Sequence, residues 1–274
     1  MSPGIRFSTI PFSGLPIELW LEIFKHLDRH TLVSLTQVNR ALCEVVEPIL
    51  YNTVTLRWEI QVTGFVKSIR SSPLRAGYVF SITLVDIDKQ DARIHDVLPS
   101  LLNGLQHLQY LRVEEIPGDS TACCTAISSV RLPQLRTLVA GMRSFPSALL
   151  EFLVAHQNLQ EMDLRYTFVL DEPSKPPEST VFSALRTLTC RTPFLNCRLP
   201  IPSNLAHLYR PSFMLPQLPL LAAHVGPQLV SLRLGNIFPL EHFQPWSLLD
   251  VVSKFPRLRF LQVDMTYVRL SISI

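Results

Sequence analysis

A short apolar phrase recurs along the chain and constrains its fold more than any other feature. The phrase has the form apolar-x-x-apolar-x-apolar, and its nine occurrences are YNTVTL at Tyr51, VFSITL at Val79, LQYLRV at Leu108, LRTLVA at Leu135, LQEMDL at Leu159, LRTLTC at Leu185, LAHLYR at Leu205, LVSLRL at Leu229 and LRFLQV at Leu258. Successive phrases start 28, 29, 27, 24, 26, 20, 24 and 29 residues apart. So regular a period indicates a repeat architecture, in which each unit buries its apolar face against its neighbours.

Each phrase predicts a strand, because its fourth and sixth residues fall on one side and its third and fifth on the other. The segments between phrases include VTGFVKSIR, IHDVLPSLLNGL, SALLEFLVAHQ and PWSLLDVVSKF. Their apolar residues recur at three and four, which is typical of helices. Alternating strands and helices predict an α/β fold, with a parallel sheet lining a curved solenoid and helices on its outer face.

Residues 51–266 resemble leucine-rich repeats, whose period is about 20–29 residues. The resemblance implies parallel strands on a concave face and helices and loops on a convex face. Eight residues after the phrase start, where that family usually has asparagine or cysteine, the chain has Glu59, Ile87, Ile116, Arg143, Thr167, Pro193, Phe213, Ile237 and Thr266. We therefore expect an irregular solenoid without a buried asparagine ladder. The inward position of Arg210 predicts a distorted repeat, and the prolines of 192–205 and 210–219 argue against an ordinary helix there.

The segment LPIELWLEIFKHL, at 15–27, carries more apolar surface than one small core needs. If Pro16 opens a helix, apolar residues fill roughly 200° of its circumference and polar residues about 100°. Two more helices are predicted after it. Asn39 is the expected N-cap of the last one, and Pro48 is expected to bend or end it near Glu47.

A module of about 40 residues rarely buries enough surface to be stable alone. The pattern alone leaves two interpretations open, namely helices in the core of one large domain and a module completed by a partner protein.

The order LPIELWLEIFKHL, then TLVSLTQVNRAL, resembles the F-box over residues 12–52. The resemblance implies docking on the Skp-family adaptor of a cullin-RING ubiquitin ligase. The residues that match motif positions of the adaptor interface or its core are Leu15, Pro16, Leu19, Ile23, Phe24, Leu27, Leu32, Leu35 and Val38. Ala41 and Leu42 stand where the family usually has a tryptophan. We predict that Leu15, Pro16, Leu19 and Ile23 are under-buried in the isolated chain, whereas a simple cap would bury all four.

Composition excludes several other classes. The 274 residues are 47% hydrophobic and 17% charged, and no run of eighteen apolar residues predicts a membrane span. The net charge of +3 comes from interspersed arginines, so we expect neither a nucleic-acid nor a membrane partner. The first residues, MSPGIRFSTIPFS, have no continuous apolar stretch, so we do not expect a secretory signal there. Five cysteines without a CxxC pair fit the reduced thiols of a cytoplasmic or nuclear protein, and they are Cys43, Cys123, Cys124, Cys190 and Cys197.

Catalytic motifs are missing from the sequence. There is no GxGxxG, GxxxxGK[ST], HExxH or GxSxG, and His26 and His30 lack a second ligand pair. We expect no catalytic site, no metal, no cofactor and no enzymatic activity.

Client binding is predicted on the outward strand positions, which neighbouring repeats gather into one surface. Arginine and tyrosine commonly carry interface energy. The predicted client-binding residues are Arg112, Asp163, Arg165, Arg191, Tyr209 and Arg233. Three of these, Arg165, Arg191 and Arg233, also suit an anion site for a phosphorylated or acidic tail, although surface arginines are more often solvated or paired with acidic neighbours.

The predicted organisation is a flexible tail over 1–11, an F-box over 12–52 and a leucine-rich-repeat-like solenoid over 53–274. The segment DEPSKPPEST at 171–180 predicts an exposed loop, for which a tolerated insertion is favoured over a phosphorylation site at Ser174 or Thr180. VRLSISI predicts a last strand, after which an apolar repeat end is expected to be open.

These patterns predict a substrate-recognition subunit of a Skp-cullin-F-box ubiquitin ligase with an unknown protein client. The alternative is a repeat scaffold unrelated to any ligase, whose N-terminal helices cap the solenoid. A hydrolase with an unrecognised triad is the weakest of the three interpretations.

Overall fold

The computed structural model describes residues 15–85, 93–116, 126–142, 144–145, 151–153, 155–164, 169–170, 183–190, 203–214, 217–238, 252–264 and 269–273. The predicted tail at 1–11 and the predicted loop at 171–180 lie outside these residues. The described part is mixed α/β, with three helices first and a sheet of mainly parallel strands after them.

Three helices form the N-terminal region, namely α1 (Ile17–Lys25), α2 (Arg29–Thr36) and α3 (Arg40–Asn52). Asn39 caps α3 as predicted, since its side-chain oxygen accepts from the backbone N–H of Leu42 at 2.8 Å. Pro48 does not end α3 near Glu47, so that half of the expectation is wrong, and the bend stays a prediction. The helix continues through Pro48 because Ile49 and Leu50, the next two residues, pack against the three-helix core and offset the backbone hydrogen bond lost at proline.

Fourteen strands are described. In chain order they are β1 (Thr53–Arg57), β2 (Ser81–Val85), β3 (Tyr110–Ile116), β4 (Thr137–Met142), β5 (Ser144–Phe145), β6 (Glu161–Leu164), β7 (Val169–Leu170), β8 (Thr187–Cys190), β9 (His207–Arg210), β10 (Phe213–Met214), β11 (Ser231–Gly235), β12 (Ile237–Phe238), β13 (Phe260–Asp264) and β14 (Arg269–Ser273). Ten of them form one sheet in the order β1-β2-β3-β4-β6-β8-β9-β11-β13-β14. Every one of the nine phrases therefore supplies a strand, as predicted.

The register of the sheet follows the phrases. Each fourth phrase residue lies opposite the fourth residue of the next phrase, as Val54 does with Ile82 and Ile82 with Leu111. All eight pairings between phrase strands are parallel. The two short sheets, β5 with β7 and β10 with β12, repeat the parallel arrangement just after the main strands.

Burial matches the predicted alternation. In all nine phrase strands the fourth and sixth residues are buried, and they form one continuous core with the helices. The third and fifth residues are exposed or half-buried, except Thr189, which is buried. Arg210 occupies one of the inward positions and is buried, yet β9 pairs in register with both β8 and β11. The predicted distortion is therefore wrong for the strand of this repeat.

Among the described residues of the repeat region, four further helices have defined bounds, namely α4 (Trp58–Ser71), α5 (Pro73–Gly77), α6 (Arg93–Asn103) and α7 (Leu218–Val225). The first and third coincide with predicted helices. The expectation of no helix over 210–219 is wrong from Leu218 onward, because Pro219 falls in the first turn of α7, where a missing N–H costs nothing. The two other predicted helices, SALLEFLVAHQ and PWSLLDVVSKF, lie only partly within the described residues. Residues 151–153 and 252–254 are helical.

Hydrogen bonds between repeats replace the asparagine ladder. The N–H groups of Gln109 and Tyr110 both donate to the carbonyl of Phe80, at 2.9 and 3.0 Å, and the same double contact recurs at later phrases. The residue before a phrase adds a side-chain bond in two repeats, where Asn158 donates to the Pro133 carbonyl and Asn204 to the Ser183 carbonyl.

The last predicted strand is present as β14, which pairs antiparallel with β13. Leu261 lies opposite Ile272 in this pair, so β14 covers the β13 edge and is itself the last strand of the sheet, and the open repeat end expected after it stays a prediction. A separate small core holds the three N-terminal helices together, and its buried members are Phe24, Leu32, Leu42, Val45 and Val46.

Within the described residues, no helix is both long enough and apolar enough to traverse a bilayer.

Candidate protein-binding sites

The first helix divides its apolar residues between a core and an exposed stripe. Phe24 is buried, while Ile17, Trp20, Leu21 and Leu27 pack against the same three-helix core. Glu18 in the first turn and Lys25 in the last turn complement the helix dipole.

Four residues on the opposite side of α1 remain accessible. Leu15 is 44% exposed, Leu19 49% and Ile23 43%, and Pro16 is also exposed. Leu19 and Ile23 are four residues apart in α1 and share one side of the helix, and Leu15 and Pro16 lie just before its first residue. The under-burial of these four residues is therefore confirmed. They are called the α1 apolar surface below.

The remaining predicted adaptor residues are not equivalent to these four. Phe24 and Leu32 are buried, so they cannot contact a partner directly and belong to the core that shapes α1 and α2. Leu27 and Leu35 are half-buried against that core. Val38 is 65% exposed, and the neighbouring helix also exposes Val33, which the motif did not single out.

Leu42, at one position where the family usually has tryptophan, is buried in the three-helix core. The core is thus completed by an aliphatic side chain at this point.

Polar contacts occupy the hydrophilic arc of α1. Lys25 and Glu22 are joined at 2.7 Å, and this contact lowers the pKa of the Glu22 carboxyl. His26 lies 3.7 Å from the same carboxylate. His26 and His30 are both exposed, in agreement with the solvated histidines that the sequence favours.

A group of polar and aromatic side chains joins α3 to the first repeat, and sequence reasoning missed it. Arg75 contacts Glu47 through Nη2 at 2.6 Å and through Nε at 3.1 Å. The same guanidinium donates to Ser68 Oγ at 3.1 Å and lies 5.5 Å from the centre of the Tyr51 ring. Tyr51 in turn bonds Ser68 at 2.6 Å and stacks on Phe65. Glu47, Tyr51, Ser68 and Arg75 are called the α3 seam below.

No local signal in the sequence reveals the α3 seam. Glu47 and Arg75 are 28 residues apart, and only the packing of α3 beside α5 brings them together. The seam makes α3 part of both regions.

The predicted client-binding residues lie in one row where the structure describes them. Fifth phrase positions are register partners from β1 to β13, so Arg112, Asp163, Tyr209 and Arg233 share a face of the sheet. Arg165 and Arg191 lie outside the described residues. The row is called the outer row below.

One part of the outer row is held together by specific contacts. Arg233 contacts Asp264 through Nε at 2.8 Å and through Nη2 at 2.7 Å. Its guanidinium carbon lies 4.3 Å from the centre of the Tyr209 ring, and Gln262 donates to the other Asp264 oxygen at 2.8 Å. These contacts fix a planar arginine on an aromatic ring, which is an arrangement suited to binding.

Elsewhere in the row, Arg112 forms an ion pair with Glu114 on its own strand. Val139 separates Arg112 from Asp163, so those two charges are not neighbours. The structure therefore brings Tyr209 and Arg233 together and leaves Arg112 and Asp163 at distinct places in the row.

Metal and thiol chemistry has little support in the described part of the chain. Within it, no group of three or more His, Cys, Asp and Glu side chains is close enough to hold a metal ion. Cys43 and Cys190 form no disulfide among the described residues, and burial raises the pKa of Cys43. Cys123, Cys124 and Cys197 lie outside the described residues.

The described part thus combines a three-helix module that has an exposed apolar surface with a sheet of mainly parallel strands. The F-box-like family model matches residues 12–57, so the N-terminal region is an F-box-like domain. F-box domains typically bind Skp-family adaptors. Curated proteins gave no match to the chain. The leucine-rich repeats have no family match and stay a prediction.

Proposed function

We propose that the chain is the non-catalytic substrate-recognition subunit of a Skp-cullin-F-box type ubiquitin ligase. The observation that carries the proposal is the exposure of Leu15, Leu19 and Ile23 within the F-box-like domain. A domain that served only to cover the repeats would bury this stripe.

Apolar burial supplies the driving force for adaptor binding. Fully burying a leucine or isoleucine contributes about 1.5–3 kcal/mol, so each half-exposed residue of the α1 apolar surface contributes roughly 1 kcal/mol. Buried Phe24 and Leu32 keep α1 and α2 rigid, which lowers the entropy lost on docking.

The repeat sheet holds the client in this proposal. Its strands match the leucine-rich pattern in order, register and burial, and its outer row presents Tyr209 and Arg233 in a fixed arrangement. A client held there has its lysines at a high effective concentration near the ubiquitin-loaded enzyme. Proximity accelerates transfer without a nucleophile in this chain.

Co-purification of the full chain with a Skp-family adaptor tests the proposal. Leu19→Glu and Ile23→Glu should abolish adaptor capture with circular dichroism nearly unchanged, because both side chains are already half-exposed. Ile60→Glu is the matched control, since Ile60 is 84% exposed and lies outside the F-box-like match. The control should bind like the parent chain. An intact chain that fails to bind under conditions where a known F-box binds rules the ligase function out.

A second candidate function has an observation of its own. The α3 seam shows α3 packed beside the first repeat, as expected of a scaffold whose N-terminal helices cap the repeats. In that case Leu19→Glu and Ile23→Glu should unfold the chain. A loss of adaptor binding in a chain that stays folded favours the ligase subunit instead.

Client binding is tested separately on the outer row. A chain with both Tyr209→Ala and Arg233→Ala should still capture the adaptor but lose proteins that the parent chain captures from the native cell. Thr83→Ala, in the same row on β2, is the matched control. Unchanged client capture by the double variant would move the client site away from this part of the row.

A further inference from the structure

Arg210 is an exception among the inward residues of the repeats. At the other eight sixth phrase positions the residues are uncharged, and they are Leu56, Leu84, Val113, Ala140, Leu164, Cys190, Leu234 and Val263. All of them are buried, and so is Arg210, at 2% exposure. A guanidinium thus occupies a place in the core where every other repeat has an apolar, small or thiol side chain.

The contacts of this guanidinium leave most of its donors unused. Nη2 donates to Gln217 Oε1 at 3.3 Å, and the guanidinium carbon lies 5.3 Å from the centre of the Phe213 ring. Nε and Nη1 are buried and reach no acceptor among the described residues. Arginine has five N–H donors, so three of them, on Nε and Nη1, lack an acceptor.

A buried positive charge without acceptors is costly. Removing a charge from water costs several kcal/mol unless a counter-charge or hydrogen bonds compensate. Burial lowers the pKa of Arg210 for this reason. The face of Phe213 offsets part of the cost, because an aromatic ring attracts a cation. An anionic acceptor at Nε and Nη1 would offset far more.

The N-terminus of α7 lies beside the same guanidinium. Gln217, the residue that Arg210 contacts, is the N-cap of α7, and its side chain makes no cap hydrogen bond. The first N–H groups of an α-helix are unpaired and carry the positive end of its dipole. Helix N-termini bind anions for this reason. Arg210 and α7 therefore favour negative charge in the same region.

We propose that Arg210, Gln217 and the N-terminal end of α7 form a binding site for a small oxyanion of the phosphate or sulfate class. The bound oxyanion accepts from Nε and Nη1 of Arg210 and neutralises the charge that this repeat buries. The proposal does not depend on the ligase function. Tyr209 precedes Arg210 on β9, so the oxyanion also stabilises the strand that carries Tyr209 in the outer row.

The test measures thermal unfolding of the full chain against sodium phosphate concentration, with sodium chloride keeping the ionic strength constant. The parent chain should show a midpoint that rises with the logarithm of phosphate concentration above the Kd, by about 3 °C at ten times the Kd. Titration calorimetry with phosphate should give close to one site per chain. A parent chain whose midpoint and heat do not respond to phosphate overturns the proposal.

Two variants assign the effect to Arg210. Arg210→Met, which restores an apolar inward residue, should lose the phosphate response, and Arg186→Met should keep it because Arg186 is exposed on the neighbouring phrase. If Arg210→Met does not fold, Arg210→Lys retains the charge with fewer donors and should weaken phosphate binding about tenfold. A response in Arg210→Met or Arg210→Lys equal to that of the parent chain overturns the proposal.

Cys190 provides the competing explanation. Its thiol lies near enough to Arg210 to favour the charged guanidinium, so a Cys190 thiolate is the alternative counter-charge. Cys190→Ala should leave the phosphate response in place if an oxyanion is bound. If phosphate acts only after Cys190 is removed, the thiolate is the counter-charge and the oxyanion site is wrong.

Discussion

The inward positions of the repeat sheet and the α1 apolar surface of the F-box-like domain bury apolar residues to very different degrees. In the sheet, every fourth and sixth phrase residue is buried. In the F-box-like domain, Leu15, Leu19 and Ile23 are each more than two-fifths exposed. Both regions belong to one chain of the same apolar composition. The difference shows that exposure on α1 is a property of that surface, because the chain is able to bury such residues elsewhere.

The largest change in the free energy of unfolding should come from truncating one leucine to alanine in each of the two regions. Leu111→Ala removes a fully buried side chain of β3 and should lower the free energy of unfolding by about 2–5 kcal/mol. Leu19→Ala should lower it by less than about 1 kcal/mol, since half of that side chain is already in water. Denaturant unfolding measures both values. Equal losses would mean that the α1 apolar surface is packed inside the chain.

The next effect tests close packing within the repeat region by adding one methyl group. A Cβ at Gly226 would lie 2.3 Å from the Ala222 carbonyl oxygen and 2.7 Å from that of Lys254. Gly226→Ala should therefore lower the free energy of unfolding by about 1–3 kcal/mol. Gly64→Ala is the control, because nothing lies within 4 Å and Gly64 is inside α4. The Gly64→Ala variant should raise the free energy of unfolding by about 0.5–1 kcal/mol. A destabilised control would contradict the open surroundings of Gly64.

A smaller effect tests whether the two regions unfold together. A double-mutant cycle with Glu47→Gln and Arg75→Met should give a coupling energy of about 1 kcal/mol, since the pair is half-buried and partly screened by water. The exposed pair Arg40 and Glu44 is the control and should give no more than about 0.5 kcal/mol. Zero coupling would indicate that the Glu47–Arg75 pair does not help to hold α3 against the first repeat.

The last comparison concerns a pH dependence that arises from one buried histidine of the repeat region. His156 is buried, donates from Nδ1 to the Phe152 carbonyl at 2.6 Å and accepts at Nε2 from the Leu132 N–H at 2.9 Å. Burial lowers the pKa of His156 below its ordinary 6.5. Below about pH 6.5 the unfolded chain binds a proton that the folded chain refuses, so stability should fall there by at most about 1.4 kcal/mol per pH unit. Above that pH the contribution is complete.

His156→Leu supplies the comparison for this pH dependence. Leu105, Leu132 and Phe255 hold the same place three residues before their phrases, so leucine fits the position. The variant should be less stable at pH 7.5, because the Leu132 N–H loses its acceptor, but its stability should fall less between pH 7 and 5.5. A variant with an unchanged pH profile would exclude His156 as the titrating group.

Periodic features were predictable from the sequence. The phrases at Val79 and Leu108 specify strand, register and burial together, since one pattern of apolar residues determines all three. The α1 apolar surface was predictable for a similar reason, because the spacing of residues from the start of a helix determines which side chains share a face.

Features that depend on contacts between distant residues were not predictable. Pro48 predicts a helix end by its own chemistry, and only the packing of Ile49 and Leu50 overrides it. The acceptor role of His156 and the pairing of Glu47 with Arg75 join residues that no local pattern relates. The inward position of Arg210 predicted a distorted repeat, but the backbone of β9 stays regular. The cost of burying the charge lies instead in the Arg210 side chain, whose Nε and Nη1 have no acceptor among the described residues.

The direct passage from α3 into β1 has a geometric consequence. Asn52 ends the helix and Thr53 begins the strand, so no spacer lies between the domain and the sheet. An α-helix turns about 100° and rises about 1.5 Å with each residue. One residue inserted into α3 would therefore swing the α1 apolar surface by more than a quarter of a turn around the first repeat. Residues inserted between the phrases at the far end of the sheet would leave that angle unchanged. The angle between the α1 apolar surface and the first repeat thus depends on the residue count of α3.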